Sequence, residues 1–204
     1  MLRALCLDLM GTVLHDPYLE ALQAATGLDV VTAHQFKDPA SWPAFEIAAI
    51  DEAEFARRFF ADPDGERVFD LNAFHRVRRS GYCYLPGMCE LLDALGGHVE
   101  RYVASNYPIW IEELRAAFGL DERFEGVWAS HHLGVRKPDP RFFERFLSAI
   151  GHEPQHCLFV DDREDNCEAA QAVGMRAHRF VDAEGLAGRL REEGIPVEVG
   201  PAGN

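Results

Sequence analysis

Four short apolar runs, at residues 4–9, 101–104, 157–160 and 177–181, constrain this chain more than any other feature of it. Each is bounded by polar or turn residues, and segments of helical periodicity lie between them. A run that is apolar at consecutive positions has both faces covered, the condition of a strand inside a parallel sheet. Such strands alternating with helices predict βαβ units, hence an α/β fold with a doubly wound, mostly parallel sheet. Residues 126–129 are a weaker fifth strand. The intervening helices are predicted over 86–95, 109–118, 140–150 and 164–173. They stop at Gly96, Gly119, Gly151 and Gly174, a mutually consistent set of glycine C-caps. A helix over 182–193 closes the fold.

Residues 15–84 break this rhythm. They hold no strand-like run and read as helices over 18–26, 41–50, 51–60 and 71–80, interrupted at Asp38-Pro39, Trp42-Pro43 and Asp62-Pro63-Asp64-Gly65. Asp51 with Glu54 three places on has the form of a capping box. A helical insertion directly after the first strand predicts a cap over a catalytic core made of residues 1–14 and 85–204. The chain shows no internal repeat and no low-complexity tract.

Twenty basic residues against 34 acidic ones leave a net charge of −14. That balance repels the phosphates of nucleic acids and anionic membrane surfaces, so neither is an expected partner. The five cysteines, Cys6, Cys83, Cys89, Cys157 and Cys167, are odd in number and scattered, which suggests neither a disulfide framework nor a zinc site. With no signal-like segment and no membrane-length apolar stretch, the expected setting is a reducing cytoplasm. Composition leaves a monomer and a homodimer equally open.

The chemistry-bearing residues fall at the carboxyl ends of the predicted strands, where an open α/β sheet builds its site. Asp8 ends the first run, just before the turn Gly11-Thr12. Ser105-Asn106 follow the second. Lys137 lies in Gly134-Val135-Arg136-Lys137-Pro138, and Asp161-Asp162 end the run at 157–160, with Asn166 four places past Asp162. A carboxylate that attacks an anionic phosphorus needs cations to screen the approach, and a hard divalent ion and a lysine meet that need. Two adjacent acids at a strand end repel each other without a cation, which favours a metal role, more firmly for Asp162. Both also precede a helix, where acids complement its dipole.

This ordered set resembles the haloacid dehalogenase superfamily, in particular phosphatase-like members with a helical cap inserted after the first motif. The resemblance runs from Leu5 to about Val181. It implies Asp8 as nucleophile, Ser105 as the second-motif hydroxyl and Lys137 as the third-motif lysine. It implies a Mg²⁺ site formed by Asp8, Asp161, Asp162 and the backbone carbonyl of Met10. Substrate phosphate would be held by Gly11, Thr12, Ser105, Asn106 and Lys137. The substrate implied is a small phosphorylated metabolite, a sugar phosphate among the candidates.

Met10 departs from the family pattern, which carries a second aspartate there as proton donor. A thioether cannot donate, and general acid–base help is worth roughly 10²–10⁴ in rate. The bacterial glucose-1-phosphate phosphatases, which this chain also resembles in Gly134–Pro138 and in Asp161-Asp162 with Asn166, likewise lack that aspartate. An easily expelled leaving group, a donor such as His15 or a cap residue, or loss of turnover with retained ligand binding would each account for Met10. Relatives that cleave carbon–halogen or carbon–phosphorus bonds lack the aspartate too, but the metal-free dehalogenase chemistry sits poorly with the Asp161-Asp162 pair. Asn166 reads equally as a brace for Ser105 or Lys137 and as an exposed helix residue. Adjacent His131 and His132 on a strand would face opposite ways and read as surface residues. Phe36, Trp42, Phe45, Phe55, Phe59 and Phe60 read as packing in the cap and its seam with the core, with one or two facing the substrate.

Overall fold

The five predicted strands join in one parallel sheet. In a computed structural model that describes residues 1–61 and 65–197, these are β1 (Ala4–Leu7), β2 (Glu100–Ser105), β3 (Gly126–Ala129), β4 (Cys157–Asp161) and β5 (Arg176–Arg179). Their spatial order is β3-β2-β1-β4-β5, and every neighbouring pair is parallel. The central strand β1 is buried at all four positions. It alternates strictly: Leu5 and Leu7 enter one apolar cluster, Ala4 and Cys6 the other. β5 begins one residue before the expected run and ends at Arg179. It is an edge strand, paired only with β4 and mostly half-buried, so its apolar run does not delimit it. Phe180 instead follows the strand and donates its N–H to the Asp161 carbonyl.

Between β1 and β2 the described residues of the insertion form five helices and no strand of the sheet: α1 (Tyr18–Thr26), α2 (Val30–Phe36), α3 (Ser41–Glu46), α4 (Glu52–Arg58) and α5 (Leu71–Gly81). Helix α2 is not among the predicted elements. Asp29 starts it, accepting the Thr32 N–H at 3.0 Å and the Thr32 hydroxyl at 2.6 Å. The helix expected over 41–50 stops at Glu46, because Ala48 adopts a left-handed φ of 59° that no helix can continue through. Asp51 caps α4 as its spacing predicts, accepting the Glu54 N–H at 2.7 Å. Phe45, Phe55, Phe59, Phe69 and Phe74 pack ring against ring inside this unit. Of the Asp62–Gly65 break, Asp62, Pro63 and Asp64 lie outside the described residues.

The rest of the chain supplies α6 (Met88–Leu95), α7 (Ile111–Phe118), α8 (Leu120–Arg123), α9 (Ser130–Leu133), α10 (Pro140–Ile150), α11 (Glu164–Ala172) and α12 (Ala183–Glu192). Residues of α6, α7 and α12 join the cluster under Leu5 and Leu7, which extends into the insertion. On the opposite face the small Ala4, Cys6 and Ala104 leave room for Phe142, Phe143 and Phe146 of α10. Helix α6 starts two residues late, after Gly87 in a left-handed turn, and α8 follows directly on Gly119. His131 and His132 stand in α9 rather than on a strand. His132 Nδ1 accepts the Ala129 N–H at 3.0 Å, while its Nε2 bonds Glu112 at 2.9 Å. Among the described residues, no helix is long and apolar enough to cross a membrane.

The turn after β1 fixes where the site is built. Gly11 has φ +75°, and a Cβ there would lie 3.0 Å from Asp162 Oδ2. Substituting Gly11→Ala is expected to lower unfolding stability by about 1–2 kcal/mol through the left-handed backbone alone. Gly151→Ala, also left-handed but with nothing within reach of the new methyl group, is the control. Urea midpoints should fall for both variants, while Mg²⁺ affinity should weaken only for Gly11→Ala, whose methyl group displaces Asp162.

Candidate active site

Parallel strands end together, so β1, β2 and β4 deliver their next residues to one edge of the sheet. Asp8 follows β1, Ser105 ends β2 and Asp161 ends β4. Lys137, from the loop between α9 and α10, reaches into this group. Its Nζ lies 2.9 Å from Asp8 Oδ1 and 2.6 Å from Asp161 Oδ2, and donates to the Ala104 carbonyl at 2.7 Å. Lys137 is 1% exposed and Asp161 fully buried. A cation and carboxylates this deep are stable only as a paired, hydrogen-bonded set.

Neighbouring side chains hold the set in place. Asn106 clamps the Lys137 backbone from both sides: Nδ2 donates to the Lys137 carbonyl at 2.9 Å, and Oδ1 accepts the Lys137 N–H at 2.8 Å. Asn166, at the start of α11, is buried, and its Nδ2 donates to both Asp161 oxygens at 3.0 Å. Asp161 Oδ1 also accepts the Arg163 N–H at 2.9 Å. Asp162 stands beside this cluster, partly exposed to the cleft.

Burial pushes the Asp8 carboxyl up to about 7; the Lys137 ammonium opposes the rise, and the Asp161 charge adds to it. Burial alone would lower Lys137, but Asp8 and Asp161 more than offset it, so its ammonium is held above the ordinary lysine range. Asp162 is raised by burial and then by Asp161. Ser105 Oγ is buried, has no hydrogen-bond partner among the described residues and favours the ionised form of Asp8.

One oxygen from each of Asp8, Asp161 and Asp162 falls within 4.8 Å of the others. Three hard oxygen donors carry more negative charge than Lys137 balances, and this donor set suits Mg²⁺. A cleft opens onto these groups between the core and the insertion, with a cavity of about 320 Å³. Tyr18, Trp42, Phe74, Tyr82, Tyr107 and Trp110 give it aromatic walls, and Lys37, Arg78 and Arg136 give it cations.

The structure brings Asp8, Met10, Ser105, Asn106, Lys137 and Asp162 to this cleft. Other residues singled out from the sequence lie as follows. Thr12 is fully buried, its hydroxyl without a hydrogen-bond partner among the described residues, and Gly11 lies against Asp162. The Asn106 side chain bonds the Lys137 backbone on both sides while also lining the cleft. Asn166 braces Asp161, neither Ser105 nor Lys137. His15 is exposed and lies 3.9 Å from Glu20, whereas its neighbour Asp16 lines the rim of the cleft. Of the cap aromatics named from sequence, Trp42 reaches the cleft and Phe45, Phe55 and Phe59 stay in the packing. Sequence reasoning missed Tyr18, Phe74, Arg78, Tyr82, Tyr107 and Trp110. For Tyr107 and Trp110, closeness to Ser105 was the available signal.

The Asp8 geometry sets a pH dependence of stability. Without metal the folded protein holds the Asp8 proton up to about pH 7, while the unfolded chain releases it near the ordinary 3.8. Between those values the native state binds more protons, so this contribution is full below 3.8 and is lost as pH rises through 7. In EDTA, the stability of wild type relative to Asp8→Asn should therefore fall between pH 5 and pH 8. Mg²⁺ should flatten that trend, as read from urea midpoints.

Comparison with known proteins agrees with this arrangement. The family model for haloacid dehalogenase-like hydrolases matches residues 2–174. The chain is 38% identical over 196 residues to flavin mononucleotide hydrolase 1 of Arabidopsis thaliana, covering 96% of this chain and 79% of that protein. Its fold is similar to a HAD-like family hydrolase from Porphyromonas gingivalis, with a TM-score of 0.76 at 20% identity over 95% of this chain and 98% of that one. It is also similar to a HAD family enzyme from Bacteroides thetaiotaomicron solved with magnesium and inorganic phosphate, with a TM-score of 0.70 at 20% identity over 89% and 95% of the two chains. With its family model spanning β1 to β4 and the strand ends that carry Asp8, Ser105 and Asp161, this chain belongs to the haloacid dehalogenase-like hydrolases.

Proposed function

We propose that the protein is a Mg²⁺-dependent phosphomonoesterase that works through an aspartyl-phosphate on Asp8. The observation that carries this reading is the Lys137 ammonium seated between Asp8 and Asp161 beside a third carboxylate, at the floor of a cleft. Asp8, Asp161, Asp162 and the Met10 carbonyl would hold the ion, which when bound supplies the charge that lets an anionic phosphate approach a carboxylate. Asp8 attacks phosphorus, and the P–O bond to the leaving alcohol breaks. Lys137 favours the ionised form of Asp8 and offsets charge on the transferring group, and Ser105 Oγ donates to a phosphate oxygen. Water then hydrolyses the aspartyl-phosphate. Residues 15–84 act as a cap over the core of 1–14 and 85–204, excluding bulk water from the cleft.

The substrate is a small phosphorylated metabolite. Aromatic walls suit a planar group better than a bare sugar, and likeness to a flavin mononucleotide hydrolase supports a flavin phosphate. Such an ester releases a primary alcohol, which needs a proton that Met10 cannot give. Asp16 fills this role in our reading. It lines the cleft rim, where desolvation raises its carboxyl against the opposing pull of the Tyr18 N–H it accepts at 3.0 Å.

The test is hydrolysis of flavin mononucleotide and of an activated aryl phosphate, in Mg²⁺ and in EDTA. Asp8→Asn is expected to abolish turnover of both esters, and EDTA to stop it. Asp16→Asn should slow the alkyl ester by about 10²-fold or more and the aryl ester far less, and Met10→Asp in that background should restore alkyl-ester turnover. Turnover that ignores EDTA would defeat the metal-dependent reading, and equal losses on both esters would remove Asp16 as the donor.

A further inference from the structure

Among the described residues Arg78 is the largest fully buried side chain, and the phosphoryl chemistry leaves its role unexplained. It projects from α5 and is 1% exposed. Its Nε donates to His75 Nδ1 at 2.8 Å, its Nη2 donates to Glu113 Oε2 at 2.8 Å, and its guanidinium lies over the Trp110 ring at 4.3 Å from the centroid. Three of its four faces are therefore fixed. The remaining nitrogen, Nη1, is buried and makes no hydrogen bond among the described residues, yet Arg78 lines the cleft. A buried charged donor without an acceptor is unfavourable, and a ligand that supplies the acceptor removes the penalty.

The charge around Arg78 defines that acceptor. Arg78 and Arg79 share Glu113, Arg79 forming a two-pronged pair with it at 3.0 and 2.9 Å. Glu52 accepts from Trp110 Nε1 and lies 2.9 Å from His75 Nε2. Burial, followed by the charge of Arg78, holds His75 below its ordinary range and so neutral. The Tyr82 and Tyr107 hydroxyls, bonded to each other, complete the surroundings, and burial keeps both protonated. Two cations thus face two carboxylates, and the cluster already balances. A second anion would upset it, whereas a neutral carbonyl oxygen would satisfy Nη1 without adding charge.

We infer that Arg78 is a specificity-determining residue that donates Nη1–H to a ring carbonyl of a planar substrate lying against the aromatic walls of the cleft. This rests on the phosphatase reading for its chemistry, and adds to it which part of the substrate is read and by which atom. A site built around a buried donor discriminates strongly against a ligand that lacks the acceptor.

The experiment compares kcat/KM for flavin mononucleotide, whose ring carries carbonyls, with that for 1-naphthyl phosphate, a flat ester with no ring acceptor. Arg78→Met should lower the flavin-to-naphthyl ratio by about tenfold or more, chiefly through KM for the flavin. Arg78→Lys, which keeps charge but loses the planar fork, should fall between. A merely structural Arg78 would depress both esters together, and a ratio within twofold of wild type would overturn the inference. Direct binding to wild-type protein, followed by fluorescence, needs neither a variant nor turnover. Lumichrome, with ring carbonyls, should bind at least tenfold tighter than phenazine, a comparable tricycle without them; equal affinities would overturn the inference. Loss of the activity reading would show separately, as absence of Asp8-dependent hydrolysis of either ester.

Discussion

The Lys137 ammonium is the interaction on which the site depends. It is sealed from water and touches Asp8, Asp161 and the Ala104 carbonyl at once, so it ties together the ends of β1, β2 and β4. Removing it would leave two buried carboxylates facing each other, a configuration that costs several kcal/mol. Its own position is over-determined: Asn106 grips its backbone from both sides, and Asn166 fixes the rotation of Asp161. These amides touch no reacting atom in our reading and act as positioning residues. They convert a flexible loop lysine into a fixed charge, which is what electrostatic preorganisation requires.

The fold separates two tasks. Sheet and connecting loops bring the acids and the lysine to one edge, with positions set by strand register. The insertion brings aromatic rings and paired cations over that edge. Because its own core runs on continuously with that beneath Leu5 and Leu7, the two walls of the cleft share one packing surface. In the proposed reading the strand ends carry the reaction, while residues of α1, α3 and α5 line the cleft above them.

Much of the catalytic edge was legible in the sequence, because each candidate follows an apolar run and a buried parallel strand has few ways to end. Asp8, Ser105, Asp161 and Asp162 are found by that rule, and Lys137 by its order in the chain. What the residues touch was not legible. Asn106 and Asn166 face inward because of the loop path and the phase of α11, neither of which composition determines. Thr12 is next to the nucleophile's turn in sequence but points into the core. The recognition wall was hardest of all. Arg78, Phase-matched with Phe74 and His75 on α5, reads locally as an ordinary basic residue near a helix end, and only tertiary packing against Trp110 reveals its burial. Helix α2 did carry a signal, Asp29 with Thr32, that apolar periodicity alone passes over.

Met10 now marks a division of labour. In the proposed reading Asp8 as nucleophile keeps its lysine and acids, and the proton for a poor leaving group comes from elsewhere in the cleft. The central claim is that the phosphoryl group rests covalently on Asp8. Acid quenching during turnover of ³²P-labelled substrate, borohydride reduction and peptide sequencing test it directly. Quenched protein should carry Mg²⁺-dependent label and yield homoserine at position 8 after reduction. Active turnover with no protein-bound phosphate at any quench time, or label on Asp161 or Asp162, would contradict it.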